Sequence, residues 1–326
     1  MNEQLYRIVD KIDAIKDGLN ASFLERKNAV DMIVLSVISR KHSILIGGPG
    51  LAKTAVLKAL AGRVKGLKFF DFQMTPATRI DELLSYEYAG ADTVSEAILG
   101  ASTCAGESTG ERRNGRSRNK IGIDNCDIAL IDEFFKGPHS TLNSLLSIMN
   151  ERVMYYGNSE PVKIPLISLF ASSNERPDKS SDSNLLPLYD RFLFRMEIMP
   201  VRSEENFKKL LELKDGDIEK FEISKYGEEV FLQKEDINTI GKAAENAEIS
   251  ADILNKMYLI REELKNKQVI VSDRRWRETV KILKTAAVLN KRSYVAKEDL
   301  KVLEPSLWTY YSDIRAVKNV VGRALK

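Results

Sequence analysis

The chain has 326 residues, 43% of them hydrophobic, which is enough for two domains that each bury a core. Its 50 basic and 47 acidic side chains leave a net charge of +3, too small an excess for a protein that coats DNA. No apolar stretch is long enough to span a bilayer, and the polar start Met1–Gln4 is unlike a signal peptide, so we expect a cytosolic protein.

Cysteine and histidine are scarce. The chain has two cysteines, Cys104 and Cys126, and two histidines, His42 and His139. This leaves little material for a transition-metal site, and a reducing compartment favours two free thiols over a disulfide. Any catalysis is therefore expected to depend on carboxylates, lysine, arginine and a hard cation.

The first 42 residues have apolar side chains at helical spacing, which predicts two helices with a break at Gly18–Ser22. The apolar run Ser43–Ile46 follows and predicts a strand. The approach segment Phe23–Arg26 could border an adenine base. Ordinary core packing is the alternative for that segment.

A glycine-rich segment comes directly after this strand. It consists of Gly47, Gly48, Pro49, Gly50, Leu51, Ala52, Lys53 and Thr54. A strand, a glycine-rich turn and a helix that opens on Lys-Thr predict a phosphate-binding P-loop, because the loop N–H groups and the helix N-terminus attract phosphate oxygens. Lys53 is expected to reach the outer phosphates and Thr54 to bind Mg²⁺. Ala52 stands where a third glycine is usual, and a plain Gly-Pro turn is the alternative.

The next segments are a predicted strand over Leu67–Met74 and a helix candidate over Arg79–Leu84. Residues 100–125 have a different composition, because they are rich in Gly, Ser, Thr and Asn, which cannot form a buried core. Their basic residues are Arg112, Arg113, Arg116, Arg118 and Lys120. We expect a mobile basic loop, with a solvated loop that has no partner as the alternative.

The apolar run Ile128–Ile131 predicts a strand buried on both faces of a parallel sheet. It ends in Asp132 and Glu133, and ligands collect at the carboxyl ends of such strands. Asp132 is therefore expected to hold Mg²⁺, and Glu133 to orient and deprotonate the attacking water. An acidic pair at a helix start is the alternative.

The pattern continues with a helix, a hairpin over 151–165, and a strand at Leu166–Ala171. Asn174 follows this strand, and its amide could hold the water or the outer phosphate if the strand is central in the sheet. A turn asparagine is the alternative. The last predicted strand is Phe192–Ile198.

Phosphoryl transfer also needs positive charge at the transition state. The candidates are Arg191, Arg274 and Arg275, although a single arginine is more often a surface or salt-bridged residue. A GTPase is not supported, because Asn119–Gly122 and Asn290–Ser293 lack the aspartate of the guanine-binding motif.

Strands and helices alternate up to Pro200, and helical patterns dominate from 203 onward. This predicts an α/β nucleotide-binding domain over 1–200 followed by an all-helical domain over 201–326.

In combination, these segments resemble the AAA+ ATPases, and more narrowly the MoxR family near its RavA branch. The segments are GGPGLAKT (47–54), IALIDEFFKGPHSTLNSLLSIMNERV (128–153), LFASSNERP (169–177), LYDRFLFRM (188–196) and VSDRRW (271–276). The resemblance implies an αβα sandwich with a parallel five-stranded sheet and a C-terminal helical lid. Alanine before the P-loop lysine is common in that family.

The resemblance also assigns roles. Lys53 and Thr54 match Walker A, Asp132 and Glu133 match Walker B, and Asn174 matches sensor 1. Arg191 matches an arginine finger that acts on a neighbouring subunit's ATP, which implies a hexameric ring. Arg274 matches sensor 2 on the lid, with Arg275 as the alternate.

The function implied is chaperone-like remodelling of a protein client, commonly with a separate von Willebrand factor A domain partner. Residues 85–125 and 151–165 occupy the places of the helix-2 and pre-sensor-1 insertions. We expect the further C-terminal domains of RavA itself to be absent. A motor that acts on nucleic acid is the alternative, because related rings carry similar hairpins and the 112–120 loop is basic.

Overall fold

The computed structural model describes residues 2–85, 120–155, 160–175, 185–212 and 230–326, and the structural statements below concern these residues. Cys104 and the arginines of the predicted basic loop, Arg112 to Arg118, lie outside them. So does the tip of the predicted hairpin at 156–159.

The described helices are α1 (Glu3–Ser22), α2 (Lys27–Ser39), α3 (Lys53–Ala61), α4 (His139–Glu151), α5 (Leu186–Arg191), α6 (Glu204–Glu212), α7 (Lys234–Glu245), α8 (Ala251–Asn266), α9 (Asp273–Leu289) and α10 (Ile314–Ala324). The strands are β1 (His42–Ile46), β2 (Val64–Lys65), β3 (Phe69–Gln73), β4 (Ile128–Asp132), β5 (Val153–Met154), β6 (Val162–Lys163), β7 (Ser168–Ser173), β8 (Phe192–Glu197) and β9 (Leu232–Gln233). None of the described helices has both the length and the apolar character needed to cross a membrane.

The N-terminal helices differ from prediction at one point. The predicted break at Gly18–Ser22 is wrong, because α1 runs to Ser22 and the chain turns only at Phe23–Arg26. Gly18 and Leu19 are buried in α1, so tertiary packing outweighs the weak helix propensity of glycine. The turn depends on Glu25, whose φ of 56° lies in the left-handed region.

The five-stranded sheet confirms the predicted fold class. Its order is β3-β4-β7-β1-β8, and every neighbouring pair is parallel. Side chains alternate between its faces: Ile44 and Ile46 join one buried cluster, and Leu45 joins the other. Helices α1, α2, α3 and α7 cover one face, and α4 covers the other together with the C-terminal helices. Coverage of both faces explains the continuous apolar runs in β1, β4 and β7.

Two small pairings complete the architecture. Strands β5 and β6 pair antiparallel, which confirms the predicted hairpin. The expectation that no strand follows Pro200 is wrong, because the short strand β9 lies beyond it and pairs in parallel with β2. The helix candidate near Arg79 is a single 3₁₀ segment, Ile80–Leu83.

The C-terminal helices α8, α9 and α10 form the predicted lid together with the 3₁₀ segment Lys297–Leu303. They pack through fully buried apolar residues that include Leu264, Leu283, Leu300 and Val321. Helix α9 also packs on α2 and α7, so the lid contacts the same helices that cover the sheet.

His42 joins three elements at the amino-terminal edge of the sheet. Its Nε2 hydrogen bonds with the Met149 carbonyl of α4 at 2.9 Å, and its Nδ1 accepts from Leu169 N of β7 at 2.9 Å. Nδ1 must be unprotonated to accept, so the buried ring is neutral. Burial, assisted by the charge of Arg152, lowers the pKa of His42 to about 3.

This burial predicts acid sensitivity. The unfolded chain binds a proton at His42 below pH 6.5, but the folded chain does so only near pH 3, so stability falls by about 1.4 kcal/mol per pH unit as pH drops through that window. Between pH 7.5 and 5, urea unfolding should show wild type losing about 2 kcal/mol more than His42→Gln. Equal losses in both proteins would show that His42 does not cause the sensitivity.

Candidate nucleotide-binding site

The sheet order brings the predicted phosphate-handling segments to one edge. Strand β7 lies between β1 and β4, so the carboxyl ends of the three strands are adjacent. The condition placed on Asn174, that its strand be central, is met. The segment Gly47–Thr54, the pair Asp132 and Glu133, and Asn174 therefore share this edge, where parallel sheets bind ligands.

The conformation of the glycine-rich loop explains its composition. A Cβ on Gly47 would lie 2.5 Å from the Ile198 carbonyl oxygen, so only glycine fits beside β8. Gly50 has a φ of +73°, and Ala52, the residue before α3, has a φ of 58°. A left-handed alanine costs about 1 kcal/mol or more, which is why glycine is usual at this position.

Lys53 joins the loop to the central strand. Its Nζ donates to the carbonyls of Gly47 at 2.6 Å and Gly48 at 3.1 Å, and to Asn174 Oδ1 at 3.2 Å. Partial burial lowers the pKa of Lys53, while the charges of Asp132 and Glu133 oppose this shift. The ammonium thus lies within the field of both carboxylates.

Thr54 and Asp132 meet across the strand ends. Thr54 Oγ1 donates to Asp132 Oδ2 at 3.0 Å, and the Ser172 hydroxyl donates to Asp132 Oδ1. A hydroxyl and a carboxylate oxygen at this distance are the protein ligands that suit Mg²⁺, which takes few protein ligands beside substrate phosphates. Among the described residues, no cluster of three His, Cys, Asp or Glu offers a rival metal site.

Glu133 is held by two neighbours. Asn174 Nδ2 donates to Glu133 Oε1 at 2.5 Å, and Lys136 Nζ lies 3.3 Å from Oε2. The backbone of Glu133 is left-handed, with a φ of 54°.

The predicted transition-state arginines lie at the opposite edge. Arg191 directly precedes Phe192, which pairs with His42 at the start of β1. Arg274 donates to Asn150 Oδ1 at 3.1 Å, and Asn150 lies in α4 beside Met149, which binds His42. Strand β1 spans about 16 Å at 3.3 Å per residue, so neither arginine shares an edge with the P-loop of its own chain.

Arg274 and its neighbour Arg275 differ in environment. Arg274 is exposed at the start of α9, whereas the Arg275 side chain is 2% exposed and bonded to main-chain carbonyls. Of the two, only Arg274 can reach a ligand without first breaking a buried network.

A cavity of about 620 Å³ lies between the sheet edge and the lid. Glu25, Arg26, Ile198 and Pro200 help to line it, as does Asn290 of the lid side. Ile198 N donates to the Ile46 carbonyl at 2.8 Å, directly before the P-loop. Of the segment expected to border a base, Glu25 and Arg26 line this cavity, whereas Phe23 belongs to the buried core.

Two residues of the site were not identified from the sequence. Ser172 fixes Asp132, and Lys136 pairs with Glu133. The signal for Ser172 is its place at the end of a buried strand, but a serine there looks like an ordinary strand end. Lys136 stands three residues after Glu133, a spacing at which side chains meet in a helical turn.

The close approach at Gly47 gives a prediction. Gly47→Ala would push β8 away from the P-loop and should lower the free energy of unfolding by about 1–3 kcal/mol. The matched control is Gly48→Ala, whose Cβ would meet nothing within 4 Å. Thermal unfolding of both variants checks this, and equal stability of the two would contradict the close contact.

Comparisons with known proteins agree with this fold. A family profile described as AAA domain (dynein-related subfamily) matches residues 42–192, and one described as AAA lid domain matches residues 252–321. A crystal structure of an ATPase candidate from Cytophaga hutchinsonii has a TM-score of 0.70 at 18% identity, and covers 99% of this chain and 96% of that one. At that identity it shows the fold alone.

Relatives with similar sequences include the uncharacterized protein MJ0079 of Methanocaldococcus jannaschii, which is 32% identical over 96% of this chain and 74% of that protein. Chaperone MoxR1 of Mycobacterium tuberculosis is 28% identical over 52% of this chain and 39% of its own length. The chain therefore belongs to the AAA+ ATPases, with a AAA domain followed by a AAA lid domain, and about half of it is similar to a MoxR chaperone.

Proposed function

We propose that this protein hydrolyses Mg²⁺-bound ATP in a ring of identical subunits and uses the energy to remodel a protein client. The observation that carries the proposal is the convergence of Lys53, Thr54, Asp132, Glu133 and Asn174 at one sheet edge. These are the groups that phosphoryl transfer to water requires: a cation, ligands for a hard metal, a base and a polar amide.

The P-loop holds the phosphates. Its backbone N–H groups and the N-terminus of α3 face the oxygens, and Lys53 exchanges its loop carbonyls for the outer phosphates. Thr54 and Asp132 would hold Mg²⁺, which neutralises charge that develops on the phosphate oxygens. Ser172 keeps Asp132 turned toward Thr54. The adenine base occupies the cavity beside Glu25 and Arg26.

Glu133 is the general base. Its carboxylate accepts a proton from the attacking water, and the amide of Asn174 orients that carboxylate. Lys53 binds the same amide through Oδ1. When Lys53 exchanges hydrogen bonds on phosphate binding, the change therefore reaches Glu133 through the side chain of Asn174.

Arg191 and Arg274 act on the ATP of a neighbouring subunit. Their position at the edge opposite the P-loop supports this role, because a second chain must bring its own phosphate site to them. An arginine supplied in trans stabilises transition-state charge in related phosphoryl transfers. The ring is expected to be a hexamer of the RavA-like branch that works in the cytosol.

The client is a protein, and the partner is a separate protein with a von Willebrand factor A domain. Support comes from the similarity to Chaperone MoxR1 and from the near-balanced charge of the chain. The lid, packed on α2 and on strand β8 of the sheet, converts hydrolysis into movement.

Replacing Glu133 by Gln tests the proposal. The change preserves shape and the hydrogen bond with Asn174 but removes the base, so ATP hydrolysis should fall by about 10²-fold or more while ATP affinity is retained. Phosphate release and binding of a fluorescent ATP analogue measure the two quantities. Glu245→Gln, on an exposed residue at the end of α7, is the matched control. Unchanged hydrolysis by Glu133→Gln would refute the assignment of the base.

A further inference from the structure

Two arginines are buried side by side where the lid meets the sheet. Arg195 of β8 is 1% exposed and Arg275 of α9 is 2% exposed. Burial lowers the pKa of Arg195, and the charge of Arg275 lowers it further. Asp190 contacts Arg275, at 3.4 Å from Nε, whereas Asp190 and Asp313 act on Arg195 through their charge without a direct contact. Two cations with so little opposing charge need another source of stabilisation.

Main-chain carbonyls supply it. Arg275 donates to the carbonyls of Tyr189, Asp190, Phe192 and Leu193, at distances of 3.4, 3.0, 3.1 and 3.2 Å, and to that of Ser306 at 2.7 Å. Arg195 shares the Tyr189 carbonyl at 2.6 Å and also binds the Trp308 carbonyl. These contacts tie the lid segment around Ser306 and Trp308 to the segment Tyr189–Leu193.

The segment held in this way carries Arg191. Arg275 binds carbonyls on both sides of Arg191, so it fixes the backbone from which that side chain projects. Ser272, the N-cap of α9, adds a hydrogen bond from Oγ to Asp190 Oδ1 at 3.3 Å. Asp190 in turn lies 3.6 Å from Arg191. The start of the lid helix and the end of α5 therefore form one hydrogen-bonded unit.

We propose that Arg275 is a positioning residue that joins the lid to the segment of Arg191, so that Arg191 and Arg274 are presented to the neighbouring subunit as one rigid pair. The inference rests on the proposed function, because it assigns Arg191 a role at a second chain's ATP. Lid movement in one subunit then moves Arg191 as well, and changes hydrolysis in the next subunit.

The test combines Arg275→Lys with Arg191→Lys. Lysine keeps the charge of Arg275 but cannot bind five carbonyls, so kcat for ATP should fall by about tenfold or more while the Kd of an ATP analogue stays within about twofold. Because Arg275 acts through Arg191, the double variant should be no slower than the slower single variant. Amide hydrogen exchange over 186–195 should also accelerate in Arg275→Lys.

The matched control is Arg292→Lys. Arg292 is a partly buried lid arginine bonded to Asp299 at 2.7 and 2.8 Å, and its replacement should leave kcat and exchange over 186–195 unchanged. If Arg275→Lys fails to fold, Ser272→Ala takes its place in the comparison of single and double variants with Arg191→Lys. This change removes the hydroxyl that donates to Asp190.

The outcomes separate the two proposals. The positioning role is wrong if Arg191→Lys impairs hydrolysis but Arg275→Lys, or Ser272→Ala in its place, does not. It is also wrong if the double variant loses the product of the two single losses in kcat. In either case the proposed function stands. If Arg191→Lys leaves kcat unchanged, the role of Arg191 is wrong and the inference falls with it.

Discussion

The position of β7 between β1 and β4 is the constraint on which the rest of the structure depends. If β7 exchanged places with a neighbouring strand in the sheet order, Asn174 would no longer lie between Lys53 and Glu133. As folded, Asn174 accepts from Lys53 and donates to Glu133, so the proposed phosphate-binding cation and the proposed base share one amide. The parallel direction of all five strands then determines which edge collects these groups.

The same direction separates the site into two halves. Carboxyl ends of strands carry the glycine-rich loop and the residues proposed as metal ligands and base, while Arg191 and Arg274 lie at the amino-terminal edge with His42 and Asn150. A strand length of about 16 Å cannot be bridged by an arginine side chain that is anchored by its own neighbours. If Arg191 and Arg274 act as proposed, assembly of subunits is part of the chemistry, and the lid takes part through Arg275.

Much of the phosphate site could be predicted from the sequence, because its motifs are local. A glycine-rich turn after a strand, or a carboxylate at the end of an apolar run, can be recognised from a few neighbouring residues in the sequence. Ala52 illustrates the limit: its left-handed backbone explains why glycine is usual there, yet nothing in the sequence shows that this loop tolerates the strain. The roles of individual site residues remain predictions.

What could not be predicted depends on contacts between distant segments. Arg274 and Arg275 are adjacent and chemically alike, and only the packing of α9 on β8 makes one exposed and the other buried. The break after α1 was misplaced because burial of Gly18 outweighs its propensity. Ser172 could not be identified because it matters only through its hydrogen bond to Asp132, 40 residues earlier in the chain.

The division of the site between two subunits is tested most directly by mixing two variants. Glu133→Gln lacks the base but retains Arg191, and Arg191→Ala has the opposite defect. Neither alone should hydrolyse ATP at a useful rate. In mixed rings, the intact P-loop and Glu133 of one subunit meet the intact Arg191 of its neighbour, so mixing should restore hydrolysis. Mixed rings, verified by native mass spectrometry, that remain inactive would contradict it.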